Sequence, residues 1–486
     1  MTSSKDKPDN LAGGARPRGQ HANSRPRSAQ RRSSREEPRP RAVTARWVAT
    51  SVLHRVEVDA AYAARALDAE LAAARLSDRD ARLATEIVYG TLRQLPLIDA
   101  RLDAQLARGR PDPFTLAALR AATYQALFLS RVPDHAIVQE TVSIVKIKRG
   151  EGLGKLTNAV LRRVVADRPR EPLAQARLAL PSWLEANLVE GLGAERADAF
   201  LRAEQVPPLA LRCADASARD TLLTRLREER PEAELWPSLL VPQVLYAQRA
   251  GDPRKLPGYS EGAFAVQDAG AGLVGALVGA QPGERVLDAC AGRGGKTLQL
   301  LALVGAQGHV TAVDIHARKL TQLKDEARRC GIDAARLTTE TIDLSVGDGG
   351  LTPGFDRVLV DAPCTGLGTL MRRPEIALRI TPEDPQRMAD LQLAILEHAL
   401  QLLRPGGILV YAVCSGSLQE GRGVADRLEA RQTGIRRVGN PVPGVSLTAD
   451  DDSVFRIGPW LGQKAELPDV YQVVRWTRLD SVTSPV

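Results

Sequence analysis

Residues 286–297 read Val286-Leu287-Asp288-Ala289-Cys290-Ala291-Gly292-Arg293-Gly294-Gly295-Lys296-Thr297. An apolar pair and an acid end a short strand, a glycine-rich turn follows, and a helix begins. Such a turn lets backbone approach a ligand closely, and the helix N-terminus offers it free N–H groups. Gly295-Lys296-Thr297 suggests a phosphate loop, but that loop needs a glycine five places before Gly295. Cys290 stands there instead, so the reading as a nucleoside triphosphatase loses most of its weight.

Outward from this turn the pattern repeats. Val286-Leu287 and the runs 310–313, 358–360 and 408–411 are near-continuous and apolar, as parallel strands buried on both faces are. Helical stretches such as 317–330 and 387–403 separate them, which predicts a doubly wound α/β sheet. Ligands of such sheets sit beyond the carboxyl ends of the strands. The run 310–313 ends in Asp314, about 20 residues past the glycine turn, where a carboxylate suits a ribose diol. Capping the following helix is the structural alternative for Asp314. Asp343 follows Ile342 in a third candidate strand and is placed to meet an adenine edge. A glycine turn and strand-end acids without a phosphate loop suit a nucleoside cofactor lacking pyrophosphate, and S-adenosylmethionine fits.

Two further strand ends carry cysteines: Asp361-Ala362-Pro363-Cys364-Thr365-Gly366-Leu367-Gly368 and Tyr411-Ala412-Val413-Cys414-Ser415. A lone cysteine in an apolar stretch is usually a small core residue, and Cys213, Cys290 and Cys330 take that reading. Cys364 and Cys414 stand at strand termini beside Gly, Pro and Ser, where both can converge on one bound base. A zinc site competes weakly, because the chain has no close-spaced CxxC pair. The cysteines fit a definite chemistry. Carbon-5 of a pyrimidine is a poor nucleophile until a thiolate adds at C6. Free cysteine is only a few per cent thiolate at pH 7, so the site must favour its ionisation. Lys296 supplies a positive charge for this. Asp361 suits the amino edge of cytosine better than the oxygen acceptor that uracil presents there.

The chain has 486 residues and formal charge +8, a length for two or three domains. Residues 1–41 hold eleven Lys and Arg against four acids, which is seven of those eight charges. That segment is too polar to fold alone, and is either an RNA-attracting arm or a solvated tail, with a transit peptide as a minor third reading. Residues 42–170 read as an all-α domain, with stripes such as Leu116, Leu119, Thr123, Ala126 and Leu127. Residues 171–261 read as a small α+β module, with strands at 210–213 and within 239–245 and a helix through Leu222, Leu223 and Leu226. Residues 262–486 hold the α/β sheet. Five cysteines exclude a disulfide scaffold, and no apolar run reaches membrane length. A cytoplasmic monomer without metal is expected.

These motifs together resemble the RsmB (Sun/Fmu) family of 16S ribosomal RNA cytosine-C5 methyltransferases over roughly residues 43–478. VLDACAGRGGKT at 286–297 resembles the family's VLDACAAPGGKT, with Gly292-Arg293 in place of Ala-Pro. FAVQD at 264–268, DAPCTGLG at 361–368 and YAVCS at 411–415 resemble its other signatures. RVPDHAIVQETV at 131–142 and LTNAVLRRV at 156–164 resemble a NusB-like RNA-binding domain, which makes Arg162 and Arg163 candidate RNA contacts. The resemblance implies a NusB-like helical domain, a small RNA-recognition-like module and a Rossmann-like class I methyltransferase domain. It implies Cys414 as covalent nucleophile and Cys364 in proton removal and release, with Asp361 on the base. It implies S-adenosylmethionine held by Cys290, Ala291, Gly292, Arg293, Gly294, Gly295, Lys296, Asp314, Asp343 and Asp361. Small-subunit ribosomal RNA is the implied partner. The chain departs from the family at Ala377-Leu378-Arg379, where Lys/Arg-Trp is usual, after Ser415, where Glu-Asn is usual, and at Asp469-Val470-Tyr471, where Asp-Gly-Phe is usual. A NusB-like assembly factor with a decayed methyltransferase domain and a transfer-RNA methyltransferase are the alternatives. A DNA enzyme would carry Pro-Cys-Gln, which Pro363-Cys364-Thr365 does not match.

Overall fold

Between residues 43 and 203, capping signals and apolar stripes agree on helices. The structure, a computed structural model, describes residues 43–106, 109–169, 171, 173, 177–203, 207–442, 454–462 and 466–479. The basic segment 1–41 lies outside them. Seven helices come first: α1 (Ala45–Val58), α2 (Ala63–Ala74), α3 (Asp78–Arg93), α4 (Leu95–Asp103), α5 (Pro113–Phe128), α6 (Asp134–Arg149) and α7 (Glu151–Ala166). Asp112 starts α5: its Oδ1 accepts the N–H groups of Phe114 at 3.1 Å and Thr115 at 3.3 Å, with Pro113 fixing the first helical φ. The stripe read on α5 understates its burial. Every residue of it after Pro113 is buried, because α1, α3, α4, α6 and α7 all pack on it. Alanines fill the sides that a surface helix would keep polar.

Two more helices, α8 (Ser182–Leu192) and α9 (Ala194–Arg202), lead to an antiparallel sheet of order β2-β3-β1-β4. Its strands are β1 (Leu209–Arg212), β2 (Glu234–Pro237), β3 (Val244–Gln248) and β4 (Ala265–Val266), with α10 (Ala216–Glu229) packed on it. The expected strand at 210–213 is there. The one expected within 239–245 begins only at Val244. Ser238 Oγ accepts the N–H groups of Leu240 at 3.2 Å and Val241 at 3.0 Å, and this side-chain bonding holds 239–241 in a turn.

The α/β part has strands β5 (Arg285–Asp288), β6 (His309–Val313), β7 (Leu337–Glu340), β8 (Phe355–Asp361), β9 (Leu403–Val413), β10 (Ile435–Arg437), β11 (Phe455–Ile457) and β12 (Tyr471–Arg478). Helices α11 (Ala269–Leu277), α12 (Gly295–Leu303), α13 (Ala317–Arg329), α14 (Asp384–Leu402) and α15 (Arg422–Arg431) pack around them. The sheet order is β10-β12-β9-β8-β5-β6-β7, with β11 also paired to β12. Strands β5 to β9 pair in parallel and β12 closes on β9 antiparallel. Val286 enters the core on one face and Leu287 on the other, both fully buried, which explains the unalternating runs. The helix expected over 387–403 starts earlier, at Asp384, with Pro385 in its first turn, and Leu403 already belongs to β9. Strand order reverses between β5 and β8, so the crevice for a ligand opens where Asp288 and Asp361 end their strands. No described helix is long and apolar enough to cross a membrane.

Residues 370–380 tie these parts together. Arg93 of α3 donates to the Met371 carbonyl at 3.0 Å. Arg372 bridges Asp268 at 2.9 Å and Asp469 at 3.2 Å, joining the start of α11 to the entry of β12. Burial and the neighbouring Asp268 push the Asp469 carboxyl up to about 7. Without Arg372, two buried carboxylates would face each other. Arg372→Ala is expected to destabilise the chain by about 2–3 kcal/mol, below the full cost of breaking a buried pair because the guanidinium is partly exposed. Denaturant unfolding checks this, and an unchanged midpoint would show the bridge to be energetically idle.

Candidate active site

The turn after β5 is built on left-handed backbone. Gly292 has φ +58° and Gly294 φ +88°. A Cβ on Gly294 would meet the Leu323 side chain at 2.5 Å, so this position needs glycine for both conformation and space. Asp314, at the end of β6, accepts the Gly292 N–H at 3.0 Å and the His316 N–H at 2.8 Å. Lys319 Nζ lies 3.3 Å from both its oxygens. Asp314 is thus not the cap of α13, which is His316; it fixes the glycine turn.

A cavity of about 220 Å³ opens at this turn, lined by Asp288, Cys290, Arg293, Gly295, Lys296 and Asp361, with Ala291, Gly292, Gln267 and Ala271 completing it. Asp288 is fully buried. Its Oδ2 accepts the Thr297 hydroxyl at 2.7 Å, while its Oδ1 has no partner. Burial pushes this carboxyl up to about 7. An unpartnered buried acceptor beside a glycine turn invites a ligand that brings a donor. A larger cavity lies on the small module between Arg230, Arg254 and Glu261, away from every strand end named above.

Cys364 and Cys414 meet. Their sulfurs are 3.3 Å apart, although 50 residues separate them. The Gly368 N–H donates to the Cys414 carbonyl at 3.0 Å and Gly368 in turn accepts the Val470 N–H at 2.9 Å. A Cβ on Gly368 would come within 2.1 Å of the Val470 carbonyl oxygen, so these two loops close only over glycine. The Cys414 hydrogen bond, reinforced by burial, holds the Cys364 thiol well above its ordinary value. Lys296 Nζ lies 2.7 Å from Asp361 Oδ2 and 5.1 Å from the centre of the Tyr471 ring. Burial works against its charge, but Asp361, with Cys414 and Asp288 nearby, outweighs that and holds the ammonium above the usual lysine range. Cys290 lines the cavity, and burial followed by the charges of Asp288, Asp361 and Asp314 keeps its thiol well above the ordinary value.

Glu420 went unread in the sequence. It is fully buried and accepts the Thr365 N–H at 2.8 Å, the Ser415 hydroxyl at 2.6 Å, the Gln392 amide at 3.1 Å and the Thr365 hydroxyl. One carboxylate therefore clamps the residue after Cys364 to the residue after Cys414. The signal was available: Glu420 is the one acid in the polar stretch 415–421. Asp343 is the opposite case. Strand β7 ends at Glu340, so Asp343 stands in the turn beyond it, exposed and bonded to the Ser345 N–H and hydroxyl, which hold it below the usual carboxylate range. It does not line the cavity.

Comparison with known proteins bears on family and fold. A family model described as 16S rRNA methyltransferase RsmB/F matches residues 276–458, and one described as NusB family matches residues 43–166. The chain is similar to probable ribosomal RNA small subunit methyltransferase B of Bacillus subtilis, 31% identical over 383 residues, covering 76% of this chain and 84% of that protein. It is similar to ribosomal RNA small subunit methyltransferase B of Pseudomonas putida, 35% identical over 379 residues, covering 75% and 84%. The solved structure of PH0851 superposes with a TM-score of 0.75 over 90% of this chain and 99% of that one, at 21% identity, and so shares the fold.

Proposed function

Since this chain belongs to the RsmB/F family of ribosomal RNA small subunit methyltransferases, we propose that it methylates carbon-5 of a cytosine in small-subunit ribosomal RNA, using S-adenosylmethionine. The observation that carries this reading is the pair of thiols 3.3 Å apart, set at the ends of β8 and β9 beside Lys296, Asp361 and the cavity.

Bound in that cavity, S-adenosylmethionine supplies an electrophilic methyl group. Asp288 and the turn 290–296 would hold it, and Asp314 would keep that turn in shape. Cys414 adds through sulfur to C6 of the cytosine, and the ring electrons become available at C5. Lys296 stabilises the thiolate before attack. Asp361, still 28% exposed beside Lys296, accepts from the N4 amino group and holds the ring in place. After methylation, Cys364, as a thiolate whose own proton has passed to solvent, takes the proton from C5. The C6–S bond then breaks, the electron pair returns to Cys414, and the ring regains its aromaticity. Glu420 positions both sulfurs without touching the base. A target base inside folded RNA must be turned out of its stack, and the helical part would supply the grip.

Bisulfite sequencing of total RNA from a strain lacking the protein tests this. One cytosine of small-subunit ribosomal RNA is expected to lose protection and to regain it on complementation. Loss of protection in transfer RNA alone would replace the substrate; no change in any RNA would overturn the reading.

A further inference from the structure

We propose that Arg65, Arg293, Arg318 and Arg373 form a phosphate-binding cluster at the mouth of the cavity, which holds the backbone of the RNA beside the target base. The inference rests on the reading of RNA as substrate and adds where the strand is gripped. Arg293 stands in the glycine turn, where the resembling family has proline, and its exposed side chain borders the cavity. Arg318 lies in the first turn of α13, four residues after Asp314, and Asp314 accepts the N–H of Gly292 at 3.0 Å. The bond from Gly292 to Asp314 ties the turn that carries Arg293 to the start of the helix that carries Arg318.

Arg65 arrives from the helical part. The Ala63 N–H at the start of α2 donates to Glu375 Oε1 at 3.2 Å. The Tyr62 ring carries Arg65 at 5.6 Å and Arg379 at 5.3 Å from its centre. This junction seats the first turn of α2 on the segment that begins with Arg373. All four side chains are exposed, and they come from four separate elements. Burial and the fields of Arg65, Arg373 and Arg318 hold the Arg293 guanidinium below its ordinary value, as crowded like charges do.

Most neighbouring carboxylates are paired with other cations: Asp268 and Asp469 take Arg372, Asp314 takes Lys319, and Asp361 takes Lys296. Glu375 is buried and accepts the Ala63 N–H through Oε1 alone. None of the four arginines makes an ion pair or a side-chain hydrogen bond among the described residues. Four unneutralised cations spread over four elements suit a chain of phosphates better than a single small anion, and phosphate contacts set the register of a nucleic acid without reading its sequence.

The test is salt-dependent binding of the full-length protein to a 16S ribosomal RNA transcript, with Arg318→Gln, Arg65→Gln and Arg373→Gln. Each lost phosphate contact is expected to flatten the slope of log K against log salt by about 0.7–0.9, a loss of roughly four- to fivefold in affinity at 0.15 M salt. Arg202→Gln, which removes an exposed ion pair with Asp198, is the control and keeps the wild-type slope. S-adenosylmethionine affinity, titrated in parallel, stays within about twofold. Variants with wild-type slopes would overturn the cluster and leave the methyltransferase reading intact. Equal losses of RNA and S-adenosylmethionine affinity would also overturn it, since the turn itself would then have been disturbed. Displacement of RNA by polyglutamate at equal charge would overturn it in favour of an acidic protein partner. A wild-type chain without salt-dependent RNA binding would bring down this inference and the substrate reading together.

Discussion

Cys414→Ala is expected to reduce methyl transfer to RNA by about 10³-fold or more, because it removes the sulfur that adds to C6 of the base. S-adenosylmethionine affinity is expected to stay within about twofold. The two expectations separate because Cys414 is not among the residues that line the cavity, while Lys296 and the glycine turn are. Loss of one sulfur leaves the Thr365–Glu420–Ser415 clamp in place, so the loops keep their course. A filter assay of labelled methyl transfer and a calorimetric titration of the cofactor measure the two quantities on one preparation. Turnover within about tenfold of wild type would remove Cys414 as nucleophile. Loss of cofactor binding instead would mean that the substitution had deformed the turn, and Cys414→Ser, with a poorer nucleophile of similar size, would show the same loss if that were so.

Strand ends were legible in the sequence because a parallel strand buried on both faces leaves an unbroken apolar run, and β5, β6, β8 and β9 all have one. The residues just beyond them followed from the rule that ligands lie at carboxyl ends of strands, and Cys364, Cys414 and Lys296 were found that way. Three features escaped for separate reasons. Burial all round α5 was hidden because alanine suits a surface and a crowded interior equally. Strand β2 carries Glu234 and Pro237, both poor strand formers, and is held by pairing with β3 and by α10 packed on it. Glu420 escaped because a carboxylate in a glycine-rich loop reads as solvated until its partners, 28 and 55 residues away in the chain, are known. The strand expected to run through Ile342 to Asp343 is shorter: it stops at Glu340, and Asp343 stands in the turn beyond it.

Cys364→Ala is expected to leave the protein attached to its RNA. The argument turns on what each sulfur can do once the methyl group has moved. Cys414 is then bonded to C6 and cannot leave until C5 gives up its proton. Cys364, 3.3 Å from Cys414, is the group placed to accept it. The Cys414 hydrogen bond and burial hold its thiol well above the ordinary value, so Cys364 must first pass its own proton to solvent, and the thiolate left behind is the base. Alanine there removes the acceptor but not the attack, so addition proceeds and release stalls. Turnover is expected to fall by about 10²–10⁴-fold, the range supplied by a positioned acid–base group. Denaturing gels should show a slow-migrating band that forms with RNA and S-adenosylmethionine and disappears on nuclease digestion. The double variant Cys364→Ala/Cys414→Ala should form none, which ties the bond to the Cys414 sulfur. Absence of the band with an RNA that the wild type methylates would assign proton removal to another group, and the closeness of the two thiols would then serve packing of the loops under Glu420 rather than the reaction.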